Sequence, residues 1–525
     1  MGLLYNLRLL AITAAIVCLP LSSSSPLASR DVSVKLDGVT YVNKGLVAFG
    51  LIPSDLKEST GDTLGGFGSA IGFKRGTWKK GSNGTFVGTL VACPDRGYNV
   101  ETPIDYQSRR HEIDFVLTPY YGSKNLDFLT AQTTLQLTYK NTTLMFERNN
   151  TKTTGLDALA VRAAQDGFPQ VVDADPVMPI PSDDFNRLTL DVEGLVLAPD
   201  GSYWISDEYG PYIYRFSADG HLVQTIQPPE AFLPKDKHGA LTFTSLEDPA
   251  TGRVANSGKS RIYALVHRDA PGRQRQLSPG FEGLTLDHDN KVLYAMLQAA
   301  TIQDGGDDKA TSSYTRLVAY DVSDDTKRPA LVGEWVVPLP RSNSKGNTRK
   351  CSEIFFVSKN IFLALSRDGD GRGGDEVESK YKQADIFSIA KATDIHGTKF
   401  DDPSNPVAPK GTLDKSITPA TYISFVDYID EDQLARFGLH NGGDDDETLI
   451  VGKWESLALA PAGDPAFPND YFLFTAADND FLSTHGVSLG IPFDAGKDVD
   501  NQMFVFRLTL PSVKPGSVEC ALGIK

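Results

Sequence analysis

Cysteine and histidine are scarce: four cysteines and eight histidines in 525 residues. Cys18 falls inside an N-terminal apolar run, which leaves Cys93, Cys351 and Cys520. So few thiols exclude a disulfide-dense scaffold and a cysteine-rich zinc module. HExxH does not occur, and the one GxSxG, Gly486–Gly490, is followed by Pro492 and Gly496 and not by a helical pattern, so the nucleophile elbow of a serine hydrolase and the two-histidine helix of a zincin are both missing. Basic residues are in deficit, with 51 Lys and Arg against 67 Asp and Glu and a net charge of -16. That balance excludes nucleic acid as the expected partner, because binding a phosphate backbone needs clustered cations. Beyond residue 21 no apolar run is long enough for a membrane span.

What is present begins with a secretory pattern. Arg8 precedes the apolar run Leu9 to Leu21, followed by Ser22 to Ser25 and the small residues Ala28 and Ser29. Residues 1–29 are therefore expected to be a signal peptide, and residues 30–525 a single extracellular domain without a stable membrane span. The sequons at Asn83, Asn141 and Asn149 would accept glycans on a chain secreted by a eukaryote.

One phrase keeps returning: Asp191-Val192-Glu193-Gly194-Leu195, Gly280-Phe281-Glu282-Gly283-Leu284, Cys351-Ser352-Glu353-Ile354 and Lys453-Trp454-Glu455-Ser456-Leu457. Each opens a short apolar strand, at spacings of one or two four-strand units, the rhythm of a β-propeller with decorated loops. The stretch Gly65 to Ile71 holds the same position in an earlier blade, with Ser69 where the others carry Glu. Strands Glu193–Ala198, Tyr203–Ser206, Tyr212–Phe216 and Leu222–Gln227, with turns at Asp200-Gly201 and Asp219-Gly220, make the clearest blade. The pattern predicts a helix over 154–167. It also predicts solvated loop tips at Asp304–Asp308 and Asp444–Glu447, and a flexible loop over Arg367–Gly374. Met503–Leu508 reads as a closing strand. Pairing Cys93 with Cys520 would staple the first and last blades, leaving Cys351 as an inert buried thiol.

Four segments together resemble the phytase-like family, described as "esterase-like activity of phytase": EGLVLAPDGSYWISDEYGPYIYRFSADG (193–220), FEGLTLDHDNKVLYAMLQ (281–298), SEIFFVSKNIFLALSRDG (352–369), and KWESLALAP with ADNDF (453–481). The resemblance covers roughly residues 60 to 485. It implies an all-β, six-bladed β-propeller with loop and short helical insertions, secreted, with hydrolase-type activity on esters.

The chemistry follows from the repeated acids. Carboxylates that converge on a channel repel one another unless a cation or shared protons neutralise them. Glu193, Glu282, Glu353 and Glu455, with Asp478 and Asp480, are the proposed oxygen ligands for Ca2+ or another divalent cation. The other reading of the glutamates is inter-blade hydrogen bonding. Glu193, Glu282, Asp207 and Glu208 are the candidates for catalysis, and Arg367, Lys453, Arg268 and His267 for binding an anionic substrate. The expected activity is metal-assisted hydrolysis of a phosphoester or other small ester by a monomer. A propeller lactonase or carboxylesterase, and a non-catalytic binding scaffold with a structural metal, are the alternatives.

Overall fold

The computed structural model describes residues 31–98, 103–165, 175–235, 239–243, 280–306, 308–342 and 346–525. The expected signal peptide, and the substrate-binding candidates His267 and Arg268, lie outside the described residues.

Antiparallel four-stranded sheets follow one another along the chain, each a blade. Blade one is Ala70–Phe73, Phe86–Cys93, Arg109–Leu117 and Leu135–Leu144; blade two is Val192–Leu197, Tyr203–Asp207, Ile213–Phe216 and Leu222–Ile226. Blade three is Phe281–Asp287, Val292–Leu297, Tyr314–Asp321 and Ala330–Pro338, and blade four is Lys350–Ser358, Ile361–Arg367, Lys382–Ser388 and Thr421–Asp427. Blade five closes the ring with both ends of the chain. Its inner segments Lys453–Trp454 and Ala458–Pro461 pair with Asp470–Asp478, then comes Asn501–Thr509, then the N-terminal strands Val39–Ile52 and Val32–Leu36.

The turns form where sequence chemistry demands them. Gly201 and Gly220 sit at φ 86° and 89°, a left-handed conformation that glycine alone adopts without cost. Aromatic and aliphatic side chains from facing sheets fill the spaces between blades: Trp204 and Ile213 meet Leu293 and Leu297 between blades two and three, and Phe73, Trp78 and Phe115 meet Phe472 and Phe474 between blades five and one. The glycine after the glutamate in blades two and three lets inner strands approach closely. A Cβ on Gly194 would lie 2.6 Å from Leu284 Cβ, and one on Gly283 2.8 Å from Ile354 N.

The all-β propeller is as expected, but its blades number five among the described residues, not six. The inner strands of blades two and three pack directly on each other, as do those of three and four, so no further blade separates them. The N-terminal strands, rich in Val and Phe, complete blade five instead of forming one of their own. The residue pattern itself offered five inner-strand phrases; the sixth blade came from the resemblance.

Other expectations are corrected. Described residues 154–165 form no helix: Ala160–Arg162 is a strand paired with Met178–Ile180, and buried Arg162 bonds Glu147 at 2.6 Å. Tertiary pairing overrides a weak helical preference. The proposed disulfide is absent, for Cys93, Cys351 and Cys520 are all free. Cys93 pairs in register with Ala70, whereas the Cys520 carbonyl accepts from Arg75 beyond the other end of the Ala70–Phe73 strand. That places the two cysteines several residues apart along a strand at about 3.3 Å each, beyond disulfide reach. Asp304 is not a solvated loop tip: it is buried and bonds Arg316 at 2.7 Å. Asp444, Asp445 and Glu447 are exposed. The Arg367–Gly374 loop is packed down, with Asp368 accepting from the Ser379 hydroxyl and the Lys380 and Tyr381 amides. Burial disfavours the Asp368 carboxylate, but Lys382 and these donors hold its pKa below the usual value. Cys351 is buried, and burial pushes its thiol well above the usual range, which agrees with an inert role. No helix among the described residues is long and apolar enough to cross a membrane.

Candidate functional site

The inner strands begin at one end of the channel, and their second strands finish there, so two rows of residues meet. The first row holds Asp191, Glu193, Glu282, Lys453 and Glu455. The second follows the second strands: Asp95-Arg96, Asp207-Glu208, Gln298, Arg367 and Asp478 to Asp480.

Oxygens of Asp191, Glu193 and Glu208 lie within 4.8 Å of one another, and so do those of Asp95, Asp478 and Asp480. The second trio already has a cation. Lys453 Nζ is 2.5 Å from Asp478, 2.8 Å from Asp480 and 3.7 Å from Asp95. Burial and then the neighbouring Asp480 raise Asp478 to about 7, with Lys453 opposing them. Burial alone would lower Lys453, but the surrounding acids hold its pKa well above the usual lysine value.

The first trio is less well compensated. Arg96 Nη1 lies 3.0 Å from Asp191 Oδ2, and Gln298 Nε2 donates to Glu208 at 3.0 Å and also to Glu282. Oε2 of Glu193 and Oε2 of Glu282 are buried without a hydrogen-bond partner. Burial, followed by Glu282, Glu455, Asp191 and Glu208, raises Glu193 well above the normal carboxyl range. Glu282 is raised by burial, Glu208 and Glu455, with Arg367 and Lys350 opposing. Desolvated acids that repel one another and lack donors form a site that favours a cation. The donor set is all oxygen and anionic, which suits a hard divalent ion such as calcium.

The structure thus gathers Glu193, Glu208, Glu282, Glu455, Asp478 and Asp480, but not every nominated residue. Glu353 is turned to its neighbour: Oε1 accepts from Leu284 N and Ile354 N, both at 2.8 Å, tying blade four to blade three. Asp207 accepts from Asp191 N at 2.7 Å and Gly210 N at 3.0 Å, so it braces the turn that carries Glu208. Arg367 donates to Glu455 and to the Trp454 carbonyl, and Lys453 serves the aspartates. The two described substrate-binding candidates of the four are therefore already engaged by the protein's own groups.

Sequence reading missed Asp95, Arg96, Asp191, Gln298 and Lys350. The first two were findable, because they follow the second strand of blade one as Asp207-Glu208 follow that of blade two. Lys350 Nζ donates to Gln298 Oε1 at 2.5 Å, and burial lowers its pKa despite Glu208 and Glu282 nearby. The sequon residues Asn83, Asn141 and Asn149 are all exposed.

Two solved structures show low similarity. A luciferin-regenerating enzyme is 11% identical, with 85% of this chain and 92% of that one covered and a TM-score of 0.24. A protein of unknown function from Dyadobacter fermentans is 10% identical, with 88% and 98% covered and a TM-score of 0.30. At such low scores neither bears on the site. An uncharacterized secreted protein of Arthroderma benhamiae is 38% identical over 477 residues, spanning 86% of this chain and 89% of that protein. Residues 83–481 match the phytase-like family, described as esterase-like activity of phytase, and the chain belongs to that family.

Proposed function

We propose that the chain is a secreted ester hydrolase that depends on a divalent cation, Ca2+ or one like it, at the acidic end of its channel. Secretion is supported by the N-terminal pattern and by the description of the Arthroderma relative as secreted; exposed Asn83, Asn141 and Asn149 are its proposed glycan acceptors. The single observation that carries the reading is the buried, unpartnered Oε2 of Glu193 beside Asp191 and Glu208.

Asp191, Glu193 and Glu208 would hold the ion, with Glu455 and the Lys453-neutralised Asp478 and Asp480 as outer support. When bound, the ion would polarise an ester oxygen and offset the charge that develops on it. Asp207 and Gln298 orient the acids around it. Glu282, with one oxygen fixed by Gln298 and the other free, is the proposed proton acceptor. Lys350, with its pKa lowered by burial, is placed to donate a proton to a leaving oxygen.

The arrangement favours a carboxylic ester or lactone over a phosphoester. A phosphoryl group needs several free cations, and among the described residues Arg96, Arg367 and Lys453 are bound to acids.

The test is elemental analysis of purified protein, with turnover of p-nitrophenyl acetate, a simple lactone and p-nitrophenyl phosphate before and after chelation, in wild type, Glu193→Gln and Glu282→Gln. Bound metal with chelator-sensitive and glutamate-sensitive turnover is expected. A metal-free protein with full activity would sink the proposal. Bound metal without turnover would make the chain a scaffold with a structural ion.

A further inference from the structure

We propose that the opposite end of the channel is a binding site for a single-chain anionic amphiphile of the fatty-acid class. A cavity of about 400 Å³ lies there, within the ~300–1,000 Å³ usual for ligand pockets. Its walls are the residues two and four positions beyond the glutamates, such as Leu284, Leu286, Leu457 and Leu459. Val518 and Leu522 of the C-terminal segment complete it. That segment is pinned in place: Gly76 N donates to Leu522 O at 2.7 Å, Arg75 to the Cys520 carbonyl at 3.0 Å, and Lys514 to Asp289 at 2.9 Å.

Three features select the occupant. First, Glu353 and Thr285, polar groups of the inner-strand wall, are already engaged. Glu353 Oε1 takes two backbone amides, and Thr285 Oγ1 accepts from Phe356 N at 2.8 Å. Such a chamber asks for no bridging water and accepts an apolar guest. Second, the lining runs along blade four from Glu353 to Lys359, about 20 Å at ~3.3 Å per strand residue. That is long and narrow enough for one acyl chain. Third, the lining reaches exposed Asp289, Asn290 and Lys359, where the chamber meets solvent. Asp289 is matched by Lys514, and Asp287 accepts from the Asp289 and Asn290 amides. Lys359 has no acid partner among the described residues, so it is the cation available to a carboxylate head.

The experiment is calorimetric titration of the full chain with dodecanoate and dodecanol. Dodecanoate is expected to bind saturably, one to one, and unchanged by chelation, which acts at the other end of the channel; failure of the hydrolase reading therefore leaves this result untouched. Leu284→Trp, which fills the chamber, is expected to weaken binding at least about tenfold, some 1.4 kcal/mol or more. Lys359→Glu is expected to weaken dodecanoate and spare dodecanol. Absence of saturable binding, or full binding by a Leu284→Trp protein that melts like wild type, overturns the proposal. Should Leu284→Trp fail to fold, photo-cross-linking of wild type with a diazirine fatty acid decides: label on the Leu284–Asn290 or Leu457–Leu459 peptides supports the site, and label elsewhere overturns it.

Discussion

At one end of the channel the inner strands of blades two, three and five present Glu193, Glu282 and Glu455; two residues further along the same strands they present Leu195, Leu284 and Leu457. The backbone is the same, and so is the close packing of strand on strand. What differs is how each end meets the cost of burial. The leucines are stabilised by leaving water, at roughly 1.5–3 kcal/mol per side chain, and hold the ring together. The glutamates lose solvation and repel one another, with too few cations to compensate. An apolar end of this kind builds a fold, whereas an acidic end whose burial is left uncompensated is where a functional site is expected.

The strongest way to break that contrast is to exchange the two chemistries. Leu457→Glu places an unpaired charge in the apolar tier and is expected to cost about 3–5 kcal/mol in urea unfolding. Glu193→Leu removes a buried, uncompensated acid, so in chelated protein it is expected to leave stability unchanged or raised. A large loss from Glu193→Leu without metal would show that this acid is structural and that the two ends do not differ as argued.

A second test asks whether the acidic end is completed by an ion. Calcium at a hundredfold excess over its dissociation constant would stabilise the chain by about 2.7 kcal/mol, seen as a raised melting temperature in calorimetry. Glu193→Gln and Glu208→Gln are expected to abolish that rise, whereas Leu286→Val leaves it in place.

A third sharpens the boundary between the ends, at Glu353. This residue shares the sequence phrase of the others yet bonds backbone amides of its own and the neighbouring strand. Glu353→Ala, which leaves two buried N–H groups without an acceptor, is expected to cost about 1–3 kcal/mol. Glu353→Gln keeps an acceptor and is expected to recover most of that loss. Neither should alter calcium binding measured by titration.

The inner-strand phrases, the turns at Gly201 and Gly220 and the closing strand near Met503 were readable in the sequence, because period-two alternation and turn glycines are local signals. Glu353 was not separable from Glu193 and Glu282, since its partner is an amide of another blade. Asp304 read as a surface acid because Arg316 lies on the strand that follows the loop and is buried with it. Lys453 and Arg367 were nominated for an anionic substrate, with an ion pair as the other reading, and the sequence did not show which acids would pair with them, because Asp95 and Asp478 for Lys453 and Glu455 for Arg367 are distant in the chain. Local pattern carried the strands, while the charge balance of the site emerged only when the ring closed.

The last test distinguishes the two ends by pH. His288, in the wall of the apolar chamber, is lowered to about 4 by burial and then by Lys291 and Arg75, with Asp287 and Asp289 opposing. Its folded-state pKa lies below the unfolded value near 6.5, so the neutral ring is favoured by folding. The stability it contributes is full above pH 6.5 and is lost as the pH falls from there through about 4. Glu193 and Glu282 act in the opposite sense: their raised values mean that acidification relieves them, and stability is lost as the pH rises from the unfolded value near 4.5 through their folded values. Melting temperatures of wild type and His288→Gln in chelated buffer, compared between pH 6.5 and 4, separate the two contributions. The wild type is expected to lose ground to the variant on acidification. Parallel curves would mean that His288 is solvated in the folded protein, and that the chamber wall at that point is wet.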